Sequence, residues 1–250
     1  IIKNMIQKLS NRDFIGHGPI KVLYPGKNMS TGDSGMGAIG RIDHAFFKGH
    51  QLIAMHPHVN DEILSYFRTG TVRHKDSEGF EATIDRKHLM LMKAGKLFYH
   101  EEDIDGTIEP QEGLQIFIRP GEPDLEPEVI FYDLDEVHSL NKWRLLASPT
   151  AATPLKFSSQ TWIYDTKLIA GHSIEMPKKP NVDLTALLYV FQGEIMVNHN
   201  MPVQKQEALI IKDKEILINT EQGAELVLFF TNEKAPFYSG GMFSGNHSKQ

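Results

Sequence analysis

His56, Pro57 and His58 close an apolar run at residues 52–58 (LIAMHPH), and His100, Glu101 and Glu102 repeat the same two-residue spacing farther along the chain. In a β-strand successive side chains alternate faces, so residues two apart point the same way. His56 and His58 then share one face while Pro57 takes the other. His100 and Glu102 likewise share a face, with Glu101 turned away. If the two strands are neighbours in a barrel, three imidazoles and a carboxylate meet inside it. Such a donor set suits a borderline first-row ion: iron, manganese, nickel, copper or zinc. The chain has no cysteine, which excludes disulfides and thiolate sites and leaves His and carboxylate as the available ligands. An H-x-H pair alone is a weak signal in a chain with 12 histidines. His50, His74, His88, His138, His172, His199 and His247 have no comparable partner at period two and read as surface or hydrogen-bonded side chains.

The elements that must position these residues are mostly strands. Short runs rich in Val, Ile, Leu, Phe and Tyr recur between Gly, Pro, Asn and Asp, at 63–74, 88–95, 114–120, 162–171, 186–198, 208–213, 215–220 and 224–231. Close spacing with turn signals predicts an all-β sandwich or barrel and not a βαβ sheet. Pro57 inside a strand implies an edge or an irregularity there. Helical periodicity surfaces only near Glu136–Leu146, where a short helix is allowed. Residues 121–129 and 148–154 are rich in Pro, Gly and acid and read as loop and linker. On either side the same unit recurs, an aromatic-rich strand, a Gly turn and a returning β-branched strand, which suggests an internal duplication. The expected division is 1–135 as a metal-binding barrel, 136–160 as a linker with a short helix, and 161–250 as a barrel without metal.

Bulk composition narrows the classes further. The 250 residues suffice for one large or two small cores. A net charge of −6 argues against direct binding to a nucleic-acid backbone but not against a protein partner. No apolar run reaches the roughly 18 residues a membrane span needs. Lys3 and Lys8 interrupt the apolar pattern at the start, with no small-residue cleavage site following, so a signal peptide is not expected. These features set a cytoplasmic location as the expectation, although the sequence begins without Met.

The spacing around the histidines resembles a known pattern. Gly49, His56-Pro57-His58, Glu62 and Gly70 approach the first cupin motif, and residues 56–79 are similar to the pirin family's version of it, including His74, Asp76, Ser77 and Gly79. Residues 92–103 resemble the pirin stretch that ends in His-x-Glu, with Met92, Ala94, Gly95, His100 and Glu102 matching, followed by Gly113-Leu114-Gln115. Residues 186–198 are similar to the second barrel of the same family. Two departures stand out: Lys96-Leu97-Phe98-Tyr99 replaces a frequent Gly, and residues 24–47 and 121–128 differ from better-known members.

The resemblance implies two tandem cupin (double-stranded β-helix, jelly-roll) barrels, with one divalent transition-metal ion, Fe(II) foremost, held in the first by His56, His58, His100 and Glu102. General cupins use the Glu62 position as a ligand, and regular strand parity through 59–61 would put Glu62 on the face of His58. There it would serve as a group orienting a histidine or as a proton acceptor alongside Glu102. The resemblance further implies O2-dependent ring opening of flavonols, quercetin 2,3-dioxygenase chemistry, within walls that include Met55, Met92 and Phe98. Its alternative implication is a non-enzymatic, redox-sensing iron protein that binds a protein partner. A structural bicupin with incidental metal is the third reading.

Overall fold

The computed structural model describes residues 5–27 and 32–245, so the histidine at 247 lies outside the described residues. Its strands are β1 (Met5–Leu9), β2 (Ile15–His17), β3 (Ile20–Leu23), β4 (Ile39–His58), β5 (Glu62–Thr69), β6 (Thr71–Asp76), β7 (Glu81–Ile84), β8 (His88–Lys93), β9 (Phe98–Ile118) and β10 (Glu128–Asp133). After them come β11 (Arg144–Ser148), β12 (Leu155–Lys156), β13 (Thr161–Leu168), β14 (Ser173–Glu175), β15 (Thr185–Val197), β16 (Met201–Gln204), β17 (Ala208–Lys212), β18 (Leu217–Asn219) and β19 (Ala224–Thr231). Among the described residues there is no α-helix, only a 3-10 turn at Asn11–Asp13. Among the described residues no helix is long and apolar enough to cross a membrane.

The chain folds as two β units. One comprises Phe14–Val137, Pro154–Gln160 and Ala235–Gln250; the other comprises Ile1–Asp13, His138–Thr153 and Thr161–Lys234. The terminal segments are therefore exchanged: β1 pairs with β17, Met5 opposite Lys212, inside the second unit, and the chain's last described residues belong to the first. Residues 136–160 do not form a linker with a helix. β11 occupies Arg144–Ser148 and pairs with β13, where the Arg144 guanidinium grips the Asp165 carboxylate, Nη2 to Oδ2 at 2.6 Å. The alternation a short strand needs is hidden there by the Pro- and Ser-rich residues that follow it.

The first unit is built on a ribbon of two long antiparallel strands, β4 and β9, which pair almost from end to end. Their lower halves join β5, β8 and β10 in one layer; the upper half of β9 pairs with β6, and β6 with β7, in the facing layer. The ribbon bends between the layers where the register slips at Phe47/Gly49. Gly49 takes φ 79° there, and a Cβ on Gly106 would come within 2.6 Å of the Phe47 carbonyl oxygen, so both positions demand glycine. Phe47, Ile63, Phe67, Met90, Met92, Phe98, Ile104 and Phe117 fill the space between layers. In the second unit the sheet runs β1-β17-β15-β19-β13-β11, and Leu188, Val190, Leu209, Ile211, Leu226, Leu228 and Phe230 pack its interior.

Candidate metal centre

The upper ends of β4 and β9 bring the sequence's two pairs together. His56 lies opposite His100 across the ribbon, and the register slips again between Ile53 and His56, next to Pro57. The ligand atoms of His56, His58 and His100 lie within 4.8 Å of one another. His58 Nε2 is 3.0 Å from His100 Nε2. His56 turns its Nδ1 to the Ala54 carbonyl at 2.9 Å, which leaves Nε2 to the cluster. Among the described residues no other group of three or more His, Cys, Asp or Glu could hold an ion, and the second unit offers none.

His100 and His56 are both held below the usual imidazole range. Burial, reinforced by His58, His56 and His74 nearby, pushes the His100 imidazole down to about 2. Burial also lowers His56, with the Ala54 carbonyl acting against it. Unprotonated imidazoles need no deprotonation before they ligate. His100 Nδ1 is buried without a hydrogen-bond partner, and two ring nitrogens facing each other at 3.0 Å need a proton or a cation between them. The donor set thus fits a first-row metal ion.

Glu102 follows on β9, on the same face as His100 and buried, but outside the group of mutually close ligand atoms. Gln115 Nε2 donates to its Oε1 at 2.6 Å. Burial raises Glu102 to about 7 despite that bond. Gln115 stands in a cross-strand row with Asp43 and Ser65, a polar rung on the facing layer.

Glu62 is elsewhere. The parity that would place it beside His58 requires a regular strand, and Asn60 interrupts it with φ 54°. Asn tolerates that left-handed conformation, and its side chain is tied to Asp124 by two hydrogen bonds. Beyond Asn60 the alternation restarts with Ile63 facing inward, so Glu62 turns out and accepts the Ser158 amide at 3.1–3.2 Å. Burial raises its pKa, with the Ser158 bond acting against the rise. The group that does hold a ligand histidine is Asp61, whose Oδ2 is 3.3 Å from His58 Nδ1. Glu62→Gln is accordingly expected to leave metal affinity within about threefold of wild type by calorimetry. A loss of about tenfold or more, the level expected of a ligand's supporting group, would return Glu62 to the site.

His74 is the other residue the spacing did not single out. It is fully buried on β6 opposite Glu102, its ring 5.4 Å from that of His100, and its Nε2 lies 2.6 Å from Asp76 Oδ2. His44, also buried, pairs with Glu112 at 2.9 Å. His50 and His88 are exposed partners of Asp103 and Asp85, and His199 sits in a turn with φ 61°. His172 approaches the Ala170 carbonyl and His138 lies near Glu225. Of the expected walls, Met92 and Phe98 are buried in the apolar interior, whereas Met55 is 44% exposed on the strand end.

Two tandem cupin units, one with a convergent histidine triad and the other with a packed apolar interior, define a bicupin in which, among the described residues, one cluster could hold a metal ion. Residues 34–118 match the pirin family model, and residues 145–230 match the model described as the quercetinase C-terminal cupin domain, together about two thirds of the chain. The chain belongs to the pirin family. It is 26% identical over 201 residues to quercetin 2,3-dioxygenase of Escherichia coli strain K12, covering 78% of this chain and 83% of that one. It is 28% identical over 156 residues to a pirin-like protein of Caulobacter vibrioides, covering 58% and 56%. The fold matches the bacterial pirin YhhW from Escherichia coli, solved in complex with nickel(II), at a TM-score of 0.75 and 22% identity over 91% of this chain and 99% of that one.

Proposed function

We propose that the chain is a metal-dependent dioxygenase acting on flavonol-type aromatic substrates, with Fe(II) held by His56, His58, His100 and Glu102. The observation that carries the reading is the convergence of three imidazoles, two buried and one half-buried, whose ligand atoms lie within 4.8 Å of one another. When bound, the ion would supply Lewis acidity towards a flavonol 3-hydroxyl and a contact for dioxygen.

The chain's own groups do the rest. The Ala54 carbonyl and Asp61 fix the rings of His56 and His58 with Nε2 towards the centre. Gln115 holds Glu102 by Oε1 and leaves Oε2 outside that bond, as fourth ligand and as acceptor for the proton the substrate hydroxyl gives up. Met92, Phe98 and Phe117 line the interior and exclude water from it. Support also comes from relatives named quercetin 2,3-dioxygenase.

The test is direct. Protein reconstituted with Fe(II), Mn(II), Ni(II), Cu(II) or Zn(II) in turn is given quercetin under air, with flavonol absorbance, oxygen uptake and carbon monoxide followed together. Matched consumption of both substrates with at least one ion is expected. Absence of turnover with all five would end the reading.

A further inference from the structure

Asp61 does more than touch His58. Its side chain is fully buried, and its two oxygens collect three donors, one from nearby His58 and two from the distant residues 243 and 244. Oδ2 meets His58 Nδ1 at 3.3 Å. The Phe243 amide reaches both oxygens at 3.1 Å, and the Ser244 amide reaches Oδ1 at 2.8 Å. The turn that supplies these amides is seated by further bonds: Met242 N to the Val59 carbonyl at 2.8 Å, and Arg119 Nε to the Ser244 carbonyl at 3.0 Å. Gly241 permits the approach, because a Cβ there would sit 2.7 Å from Asp61 Oδ1. So seated, the turn lays Phe243 against the ligand, its ring 4.8 Å from His58 and 5.7 Å from Phe117, with the Arg41 guanidinium over both phenyl faces.

We infer that Asp61 is a positioning residue that couples the seating of the 241–245 turn to the orientation of His58, so that ion binding and turn docking strengthen each other. The inference rests on the metal-centre reading. A carboxylate that accepts the Nδ1–H of an imidazole fixes its tautomer with Nε2 bearing the lone pair, the form that ligates. Drawing electron density from Nε2 makes Nδ1–H a stronger donor and pulls the carboxylate towards the ring. The same carboxylate is anchored from its other side by two amides. A displaced turn leaves Asp61 free to swing away from His58, and a loosely held His58 leaves the turn's anchor mobile. A coupling of this kind is reciprocal: whatever factor the turn adds to ion affinity, the ion adds to the turn's docking.

The experiment is amide exchange on the full chain with and without saturating Ni(II), beside calorimetric titration of Ni(II) into wild type and Asp61→Asn. Nickel is expected to slow exchange at Phe243 and Ser244 by about tenfold, within the usual range for coupled sites, while core amides such as Leu114 and Ile116 change little. Asp61→Asn, which turns an amide NH2 towards the turn's own donors, is expected to weaken nickel by about 10–100-fold and to erase the selective protection. Exchange at Phe243 and Ser244 that ignores nickel would overturn the coupling and leave the metal centre standing, whether or not the variant folds. So would a folded Asp61→Asn protein with wild-type affinity. Wild type that binds no nickel would remove the metal centre and the coupling with it.

Discussion

His100→Ala is expected to strip the chain of its ion and, with it, of any flavonol turnover. His100 is the junction of the cluster. It is 2% exposed, its Nε2 faces His58 Nε2 at 3.0 Å, and its ring centroid is 4.4 Å from that of His56. Loss of a group that merely supports a ligand costs about 10–100-fold in affinity, and loss of the ligand itself lies beyond that range. The expected outcome is a metal content falling from one ion per chain to none after dialysis, with affinity down by more than about 100-fold, or some 2.7 kcal/mol. The β signature in circular dichroism should persist, because the layers are held by Phe47, Ile63, Phe67, Met92 and Phe117, not by the imidazole. A His100→Ala protein that keeps a stoichiometric ion and turns over flavonol would refute the centre.

The largest effect on stability is expected at Arg119→Met. Arg119 is completely buried, and all three of its guanidinium nitrogens are committed. Nη1 and Nη2 form a two-pronged pair with Asp33 at 2.8 and 2.7 Å, Nη1 also reaches the Gly37 carbonyl, and Nε reaches that of Ser244. The guanidinium lies 5.0 Å from the Phe237 ring centroid. Burial lowers its pKa, and Asp33 acts against that. Methionine fills the length but removes the donor from the Gly37 and Ser244 carbonyls and the charge partner from Asp33, which keeps the Gly35 amide. Breaking a buried pair from one side costs about 3–5 kcal/mol. Asp33 is one-third exposed and can regain water, which favours the lower end. Urea unfolding followed in the unit that holds Arg119 should show the midpoint fall at unchanged slope. A loss below about 1 kcal/mol would mean that the network is ornamental to the fold.

The histidine cluster was readable where the residues are periodic. His56 with His58, and His100 with Glu102, obey strand parity, and the structure brings the three histidines to one point. The same rule failed four residues later. A single left-handed residue, Asn60, resets the alternation and gives Asp61 the contact with His58 expected of Glu62. An Asn inside an otherwise regular run was the available signal. His74 and Asp76 stood at the same two-residue spacing, and a search for His–carboxylate pairs, not only His–His pairs, would have found that buried couple. Nothing local announces Phe243, whose partners His58 and Asp61 lie far back in the sequence. The all-β, two-unit fold was legible because each strand carries its own pattern. The placement of β1 beside β17 was not, since pairing depends on a surface assembled from remote segments.

That exchange of terminal segments sets a schedule for the nascent chain. As it leaves the ribosome amino end first, β1 must wait, unpaired, for β17, and the histidine-bearing unit must wait for the turn at 241–245 that secures Asp61. Neither half can reach its final form by sequential assembly, and severing the polypeptide at the junction near residue 137 would deprive each product of a piece carried by the other. Completion of the histidine pocket therefore waits until residues 241–245 have been made.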